Sequence, residues 1–100
     1  NKSSLTTASR ATLRKQATYL RKNKKLNVTI EGHADERGTR EYNLALGERR
    51  ANAARDYLMT YGISGKRISV ISYGKEKPVN PASSNLAWSQ NRRSVTVKVN

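Results

Sequence analysis

The chain contains no cysteine and no phenylalanine, and its 100 residues include one histidine, one tryptophan, one methionine and two prolines. Without cysteine there is no disulfide, no thiol nucleophile and no thiolate metal site, although the redox compartment stays undefined. With His33 as the single histidine, neither a His-x-x-x-His nor a Glu-x-x-His ligand spacing exists. A serine–histidine pair would need a nucleophile elbow, and none is present. Asp35 and Glu36 are adjacent and diverge, which makes them a poor acid–base pair. These absences predict no metal, no cofactor and no catalysis. No apolar run approaches the length that crosses a bilayer. No signal peptide is recognisable, and the chain opens at Asn1 in mid-pattern, as a mature fragment would. Residues 1–100 read as one domain whose modest core must come from Leu, Ile, Val, Ala and Tyr, at 35% apolar residues overall.

Acids are also scarce. Seven Asp and Glu face twenty Lys and Arg, a net charge of +13, and residues 1–30 hold eight bases and no acid. Such a field draws nucleic acid, anionic lipid or an anionic wall polymer alike. It also fits a solvated helix face kept soluble by repulsion. A small basic nucleic-acid-binding domain is therefore the alternative function. It lacks a recognised binding motif, and its strands offer no aromatic pair for base stacking.

What is present has a clear order. Residues 6–22 predict a helix, with Leu13, Ala17 and Leu20 as its apolar stripe. Val28-Thr29-Ile30-Glu31 alternates and is rich in β-branched residues, as a strand requires. Gly32 and Gly38 are expected to bracket a loop that needs backbone freedom. The strongest helix runs from about Glu41 to Tyr61, with Leu44, Ala51, Ala54, Leu58 and Tyr61 on its core stripe and Glu41 near the positive end of its dipole. Gly62 supplies a left-handed stop and Ile63 the accompanying apolar contact. Ile68–Tyr73 and Val95–Val99 predict two further strands. Strand, helix and strand in succession imply a parallel βαβ crossover. The roughly twenty residues between the last two strands are long enough to carry function or a short helix at Ser84–Ser89, with Trp88 folding back on the core. Tyr57 and Tyr61 fit core packing better than stacking platforms.

Two charged residues stand out as candidates for a site. Asp35 follows a strand in a βαβ unit, and crevices at such strand ends are common binding sites. Acids in loops also serve simply as turn or capping groups. On the helix, Asn43, Leu46, Arg50, Ala53 and Tyr57 form a row beside the core stripe, which puts Arg50 at the edge of the buried face and turns Arg49 to water. A partly buried guanidinium needs a partner. The residues leave two readings open: a salt bridge from Arg50 to Asp35 that only joins loop to helix, or two sides of one binding site. His33 reads as a loop residue satisfied by backbone. Arg92 and Arg93 read as a clamp on the 74–91 loop, with Asn91 and Arg92 as a further option for the rim of a pocket.

Glu31-Gly32-His33-Ala34-Asp35-Glu36-Arg37-Gly38-Thr39, Tyr42-Asn43, Leu46 to Asn52, Ser72 to Pro78 and Asn91-Arg92-Arg93 occur in the order found in the OmpA-like peptidoglycan-binding family, which the chain resembles from about Leu13 to Val99. The first and third of these motifs are most similar to the lipoproteins of the Tol-Pal system, rather than to porins or flagellar-motor stator proteins. The resemblance implies an α+β fold, a mixed sheet containing a βαβ unit with two main helices on one face. It implies a strand before the first helix as well, which Asn1 to Leu5 does not read as, so that residues 1–5 are expected to be disordered or a truncated strand. It implies non-covalent binding of peptidoglycan through the meso-diaminopimelate stem peptide, with Asp35 and Arg50 holding the ligand, Asn43 and Leu46 lining its pocket, and Thr39, Tyr42 and Arg92 as weaker candidates. It implies no cofactor, no reaction and no specific nucleic acid. The implied setting is the periplasmic face of the outer membrane, reached through an N-terminal lipid anchor outside this chain, with the β-propeller protein TolB as partner.

Overall fold

The computed structural model describes residues 5–99 except for the side chain of Ser89. The expectation for residues 1–5 therefore lies outside the described residues apart from Leu5, which packs against the core. In chain order the elements are helix α1 (Thr7–Lys22), strand β1 (Val28–His33), helix α2 (Arg40–Thr60), a short 3₁₀ turn (Gly65–Arg67), strand β2 (Ile68–Gly74), helix α3 (Asn85–Asn91) and strand β3 (Arg93–Lys98). The sheet order is β2-β1-β3, with β1 parallel to β2 and antiparallel to β3. This is the βαβ unit that the patterning predicts and the mixed sheet that the resemblance implies.

Each helix starts where a hydroxyl can take up an orphan N–H. Thr6 accepts from Ser9 at 3.0 Å, Thr39 from Tyr42 at 3.1 Å and Ser84 from Ala87 at 3.1 Å. The long helix α2 stops as expected. Gly62 takes φ +88°, its N–H bonds the Met59 carbonyl at 3.0 Å, and the Ile63 N–H reaches the Leu58 carbonyl at 3.3 Å. That pair of bonds is the Schellman closure, and it carries Ile63 into the core.

One core gathers Leu13, Ala17 and Leu20 of α1, Val28 and Ile30 of β1, Ala51, Ala54 and Leu58 of α2, and Ile63 and Ile68 beyond it. Tyr57 and Tyr61 pack against this core edge-to-face at 5.2 Å, as expected. At the end of the sheet away from the β1 carboxyl end, Arg67 acts as a clamp. Its guanidinium donates to the carbonyls of Leu20, Asn23 and Leu26 at 2.8–3.1 Å, closing the turn between α1 and β1.

Two expectations need correction. Leu44 is only half-buried, and the buried face of the first half of α2 is Asn43, Leu46, Gly47 and Arg50. Gly32 lies inside β1 rather than at the edge of a loop, and close approach is its reason: a Cβ there would strike the Gly47 carbonyl. The missing side chains let α2 lie directly on β1, which pulls the Asn43–Arg50 row inward over the strand end. Freedom of backbone is what Gly38 supplies, at φ +92°.

Candidate functional site

The site grows from the carboxyl end of β1. The pairing of β1 with β2 slips there, Gly32 facing Ser72 but His33 facing Gly74, so Tyr73 is an extra residue. Gly74, at φ +55°, turns back and its carbonyl takes the Ala34 N–H at 2.8 Å. Ser72 Oγ donates to the Leu44 carbonyl at 2.7 Å, which ties the end of β2 to the first turns of α2. These bonds fix the exit of the chain from β1, and with it the position of Asp35.

Asp35 is 6% exposed. Its Oδ1 accepts the Arg37 backbone N–H at 3.0 Å and Arg37 Nε at 3.1 Å, while Oδ2 accepts Arg37 Nη2 at 2.8 Å and Arg92 Nη1 at 2.9 Å. These bonds, above all those from the Arg37 side chain, hold the carboxyl far below its usual range against the opposing effect of burial. Asp35 is a charged group in a nearly closed place.

Arg50 is 7% exposed and sends Nη1 to the His33 carbonyl at 2.8 Å, so it braces the last residue of β1. Burial, with Arg92 as a nearby second cation, pushes its guanidinium below the usual arginine range, and the charge on Asp35 works the other way. Arg49, one residue earlier, is exposed, as the helical row predicts.

A cleft of about 230 Å³ opens beside these groups, lined by Asp35, Arg37, Gly38, Tyr42, Asn43 and Leu46. Leu46 is buried and Tyr42 is 52% exposed, so the cleft has an apolar wall and an open aromatic lip. Asn43 is fully buried, and its amide nitrogen donates to the carbonyls of Arg37 at 2.7 Å and Thr39 at 2.9 Å. Both amide protons are thereby committed to holding the loop in its shape. Thr39 caps α2. The structure thus brings Asp35, Tyr42, Asn43 and Leu46 to one cleft, sets Arg50 one helical turn from Leu46, puts Arg92 on Asp35, and gives Thr39 a capping task.

The tail of the chain closes over the loop in a way that differs from expectation. Trp88 does not fold back on the core. Its Nε1 donates to Glu36 Oε2 at 2.7 Å, and the Arg37 guanidinium lies 4.3 Å from its ring centroid. Ser83 and then Trp88, as hydrogen-bond donors, hold the Glu36 carboxyl below its ordinary value. Lys75 adds a bond to the Gly38 carbonyl at 2.8 Å. The predicted clamp is half right: Arg93 grips the Lys77 and Asn91 carbonyls at 2.9 and 3.1 Å, whereas Arg92 is drawn to Asp35. Asn91, buried, holds both the Val79 and Asn80 N–H groups and the Asn80 carbonyl, shaping the loop rather than facing the cleft.

His33 also departs from expectation. It ends β1 with 1% exposure, pairs through Nε2 with Glu31 Oε1 at 3.2 Å, and stacks on Tyr73 at 5.5 Å. Its partner is thus a side chain. Burial first, then the charge of Arg93, lowers its pKa below the ordinary 6.5, so it stays neutral under the site. The residues that sequence reasoning missed are Arg37, Glu36, Lys75 and Trp88. For Arg37 a signal exists: an aspartate two residues before it in a loop is the pattern of an Asx turn, which aims the Arg37 N–H at the carboxylate.

Comparison with known proteins adds the following. The OmpA family model matches residues 1–92. A peptidoglycan-associated lipoprotein of Rhizobium meliloti is 63% identical over 87 residues, 87% of this chain and 49% of that protein. One of Mesorhizobium japonicum is 54% identical over 94 residues, 94% of this chain and 56% of that protein. The chain thus spans about half the length of these curated relatives. Among solved structures, the peptidoglycan-associated lipoprotein from Burkholderia pseudomallei superposes with a TM-score of 0.92 at 41% identity, covering 96% of this chain and 81% of that one. The C-terminal domain of Helicobacter pylori MotB, at 20% identity and a TM-score of 0.87, covering 98% of this chain and 77% of that one, shares the fold.

Proposed function

The chain belongs to the OmpA family, and from that premise we propose that its strand-end cleft binds peptidoglycan non-covalently through the meso-diaminopimelate of the stem peptide. The observation that carries this reading is the buried Asp35 carboxylate on the wall of a cleft, with the buried Arg50 guanidinium one turn from Leu46 on the neighbouring helix. Diaminopimelate carries an ammonium and a carboxylate on one carbon. An acid takes the first and a planar guanidinium takes the second through two parallel bonds. Leu46 and Tyr42 line the path of the methylene chain, and Asn43 keeps the loop in place. Such a site binds and orients without transforming anything, so the function is attachment. The names of the relatives support attachment to peptidoglycan by a lipoprotein, and the family resemblance extends the proposal to tethering of the outer membrane to the wall, with TolB as a partner.

The test is co-sedimentation with purified sacculi of the diaminopimelate and lysine types over a salt titration. Retention on the diaminopimelate wall, with far less on the lysine wall and a shallow salt slope, is the expected result. Lysine-type stems keep the ammonium but lack the carboxylate, and a site built around a group rejects analogues lacking it. Equal retention on both, collapsing steeply with salt, would show adsorption by the basic surface instead.

A further inference from the structure

The occupant of Asp35 in this structure is the chain's own Arg37, held by two side-chain bonds at 3.1 and 2.8 Å. We propose that Arg37 is the specificity-determining residue of the cleft: it occupies Asp35 until a ligand displaces it, and only a ligand bearing a carboxylate beside its ammonium makes that exchange favourable. This inference rests on the stem-peptide reading and adds the means by which the site tells a zwitterion from a simple amine.

A guanidinium grips a carboxylate with a fork of two parallel bonds, whereas an ammonium is a point charge. A simple amine entering at Asp35 exchanges the fork for a single point contact and leaves a displaced arginine beside an acid that already bonds Arg92 and feels the charge of Arg50. That exchange is unfavourable. A ligand with a carboxylate on the same carbon brings a new partner for the displaced Arg37 guanidinium, so the exchange no longer strands a charge. The free site, three arginines around one acid, is thus biased against a cation alone.

The surroundings allow Arg37 to move while the rest stays. Its side chain is 43% exposed whereas that of Asp35 is 8% exposed, so the arginine is the mobile partner of the pair. Its backbone is anchored separately, the N–H on Asp35 and the carbonyl on Asn43. Trp88 offers the guanidinium a ring face at 4.3 Å and is itself fixed by the bond from Nε1 to Glu36. The side chain can therefore slide along a surface already in place, and the loop need not refold.

Trp88 is the only tryptophan of the sequence, so its emission reports directly on Arg37. The experiment compares wild type, Arg37→Ala and Arg37→Lys by isothermal titration and Trp88 fluorescence, using soluble tripeptide stems ending in meso-diaminopimelate or in lysine. In wild type the diaminopimelate stem is expected to bind and to change Trp88 emission. In Arg37→Ala the lysine stem should gain about five-fold in affinity, the size of a half-exposed ion pair removed from competition, so the ratio between the two stems narrows by that factor. Arg37→Lys should fall between. If wild type binds the diaminopimelate stem but Arg37→Ala leaves the ratio unchanged, Arg37 is not the filter and the proposal fails while the stem-peptide site stands. If neither stem binds any of the three proteins, the stem-peptide reading itself falls and takes this one with it.

Discussion

Helix α2 is one continuous element that buries opposite kinds of side chain in its two halves. From Asn43 to Arg50 the buried positions are an amide, a leucine, a glycine and a guanidinium. From Ala51 to Leu58 they are two alanines and a leucine, all fully enclosed. The second half meets α1 and the middle of β1 in a core of aliphatic groups. The first half meets the end of β1, where the His33 carbonyl takes the Arg50 guanidinium and the Arg37 and Thr39 carbonyls take the Asn43 amide. Apolar packing and the proposed binding site therefore fall on separate halves of the same helix. The apolar half is expected to hold the fold, and the polar half to carry charges whose hydrogen-bonding capacity a ligand can use.

The largest expected effect comes from removing mass from the apolar half. Leu58→Ala should cost about 2–5 kcal/mol of stability, as a fully enclosed leucine truncated in a core does. Urea denaturation measures it, and the fraction that remains folded should bind the stem peptide with unchanged affinity. A loss of affinity in the folded protein would show that the two halves are not separable.

Asp35→Ala makes the reciprocal cut. Ligand affinity should fall by about 2–5 kcal/mol, since one partner of a desolvated charge pair is gone. The urea midpoint should fall as well, because the bonds of the carboxylate to Arg37 and Arg92 stabilise the fold, so affinity is read on the fraction that remains folded. A mutant that still sediments with sacculi at the wild-type level would refute the site.

A finer cut uses neighbours on the helix. Arg50→Lys keeps the charge but loses the fork, and should weaken binding of the diaminopimelate stem by about 1–2 kcal/mol, at the lower end for a hydrogen bond to a charged group. Arg49→Lys, at an exposed position, should match wild type in the same titration. Indistinguishable lysine variants would leave Arg50 as a brace on the His33 carbonyl and nothing more.

The smallest effect concerns pH. His33 is held neutral in the folded protein by burial, while the unfolded chain protonates near 6.5. The unfolded state therefore binds more protons below that value, and stability should decline as pH drops through 6.5 toward the lower folded pKa, by at most about 1.4 kcal/mol per pH unit. His33→Gln should flatten this slope between pH 7 and 5 in urea denaturation. Asp35 acts lower: its pair with Arg37 contributes fully above the ordinary carboxylate value of 3.8 and fades only as pH falls below it.

The apolar half was legible in sequence because its signal is periodic. Leu13, Ala17 and Leu20 on α1 and Ala51, Ala54 and Leu58 on α2 repeat at helical spacing, and Gly62 with Ile63 marks the stop. The polar half was legible only in part. Asp35 and Arg50 were visible as a strand-end acid and a flanking guanidinium. That Asn43 and Gly47 would be buried where Leu44 was expected depends on the contact of Gly32 with Gly47, fifteen residues apart, which no periodicity encodes. Arg92 and Trp88 reach the loop from more than fifty residues away. Such partners follow from the fold, and only the Asx-turn spacing of Arg37 was local enough to read.

The position of β1 also has a mechanical consequence. It is the central strand, bonded along Val28–His33 to β2 on one side and to β3 on the other. Asp35 lies two residues past its end. A pull on a ligand held in the cleft would enter the sheet through the strand that, among the described residues, is anchored on both edges. Load directed along that strand is shared by two ladders at once, whereas load on β2 or β3 would peel a single ladder bond by bond. Rupture is governed by the rate of unfolding under force rather than by equilibrium stability, so a modest core can still hold fast at this point.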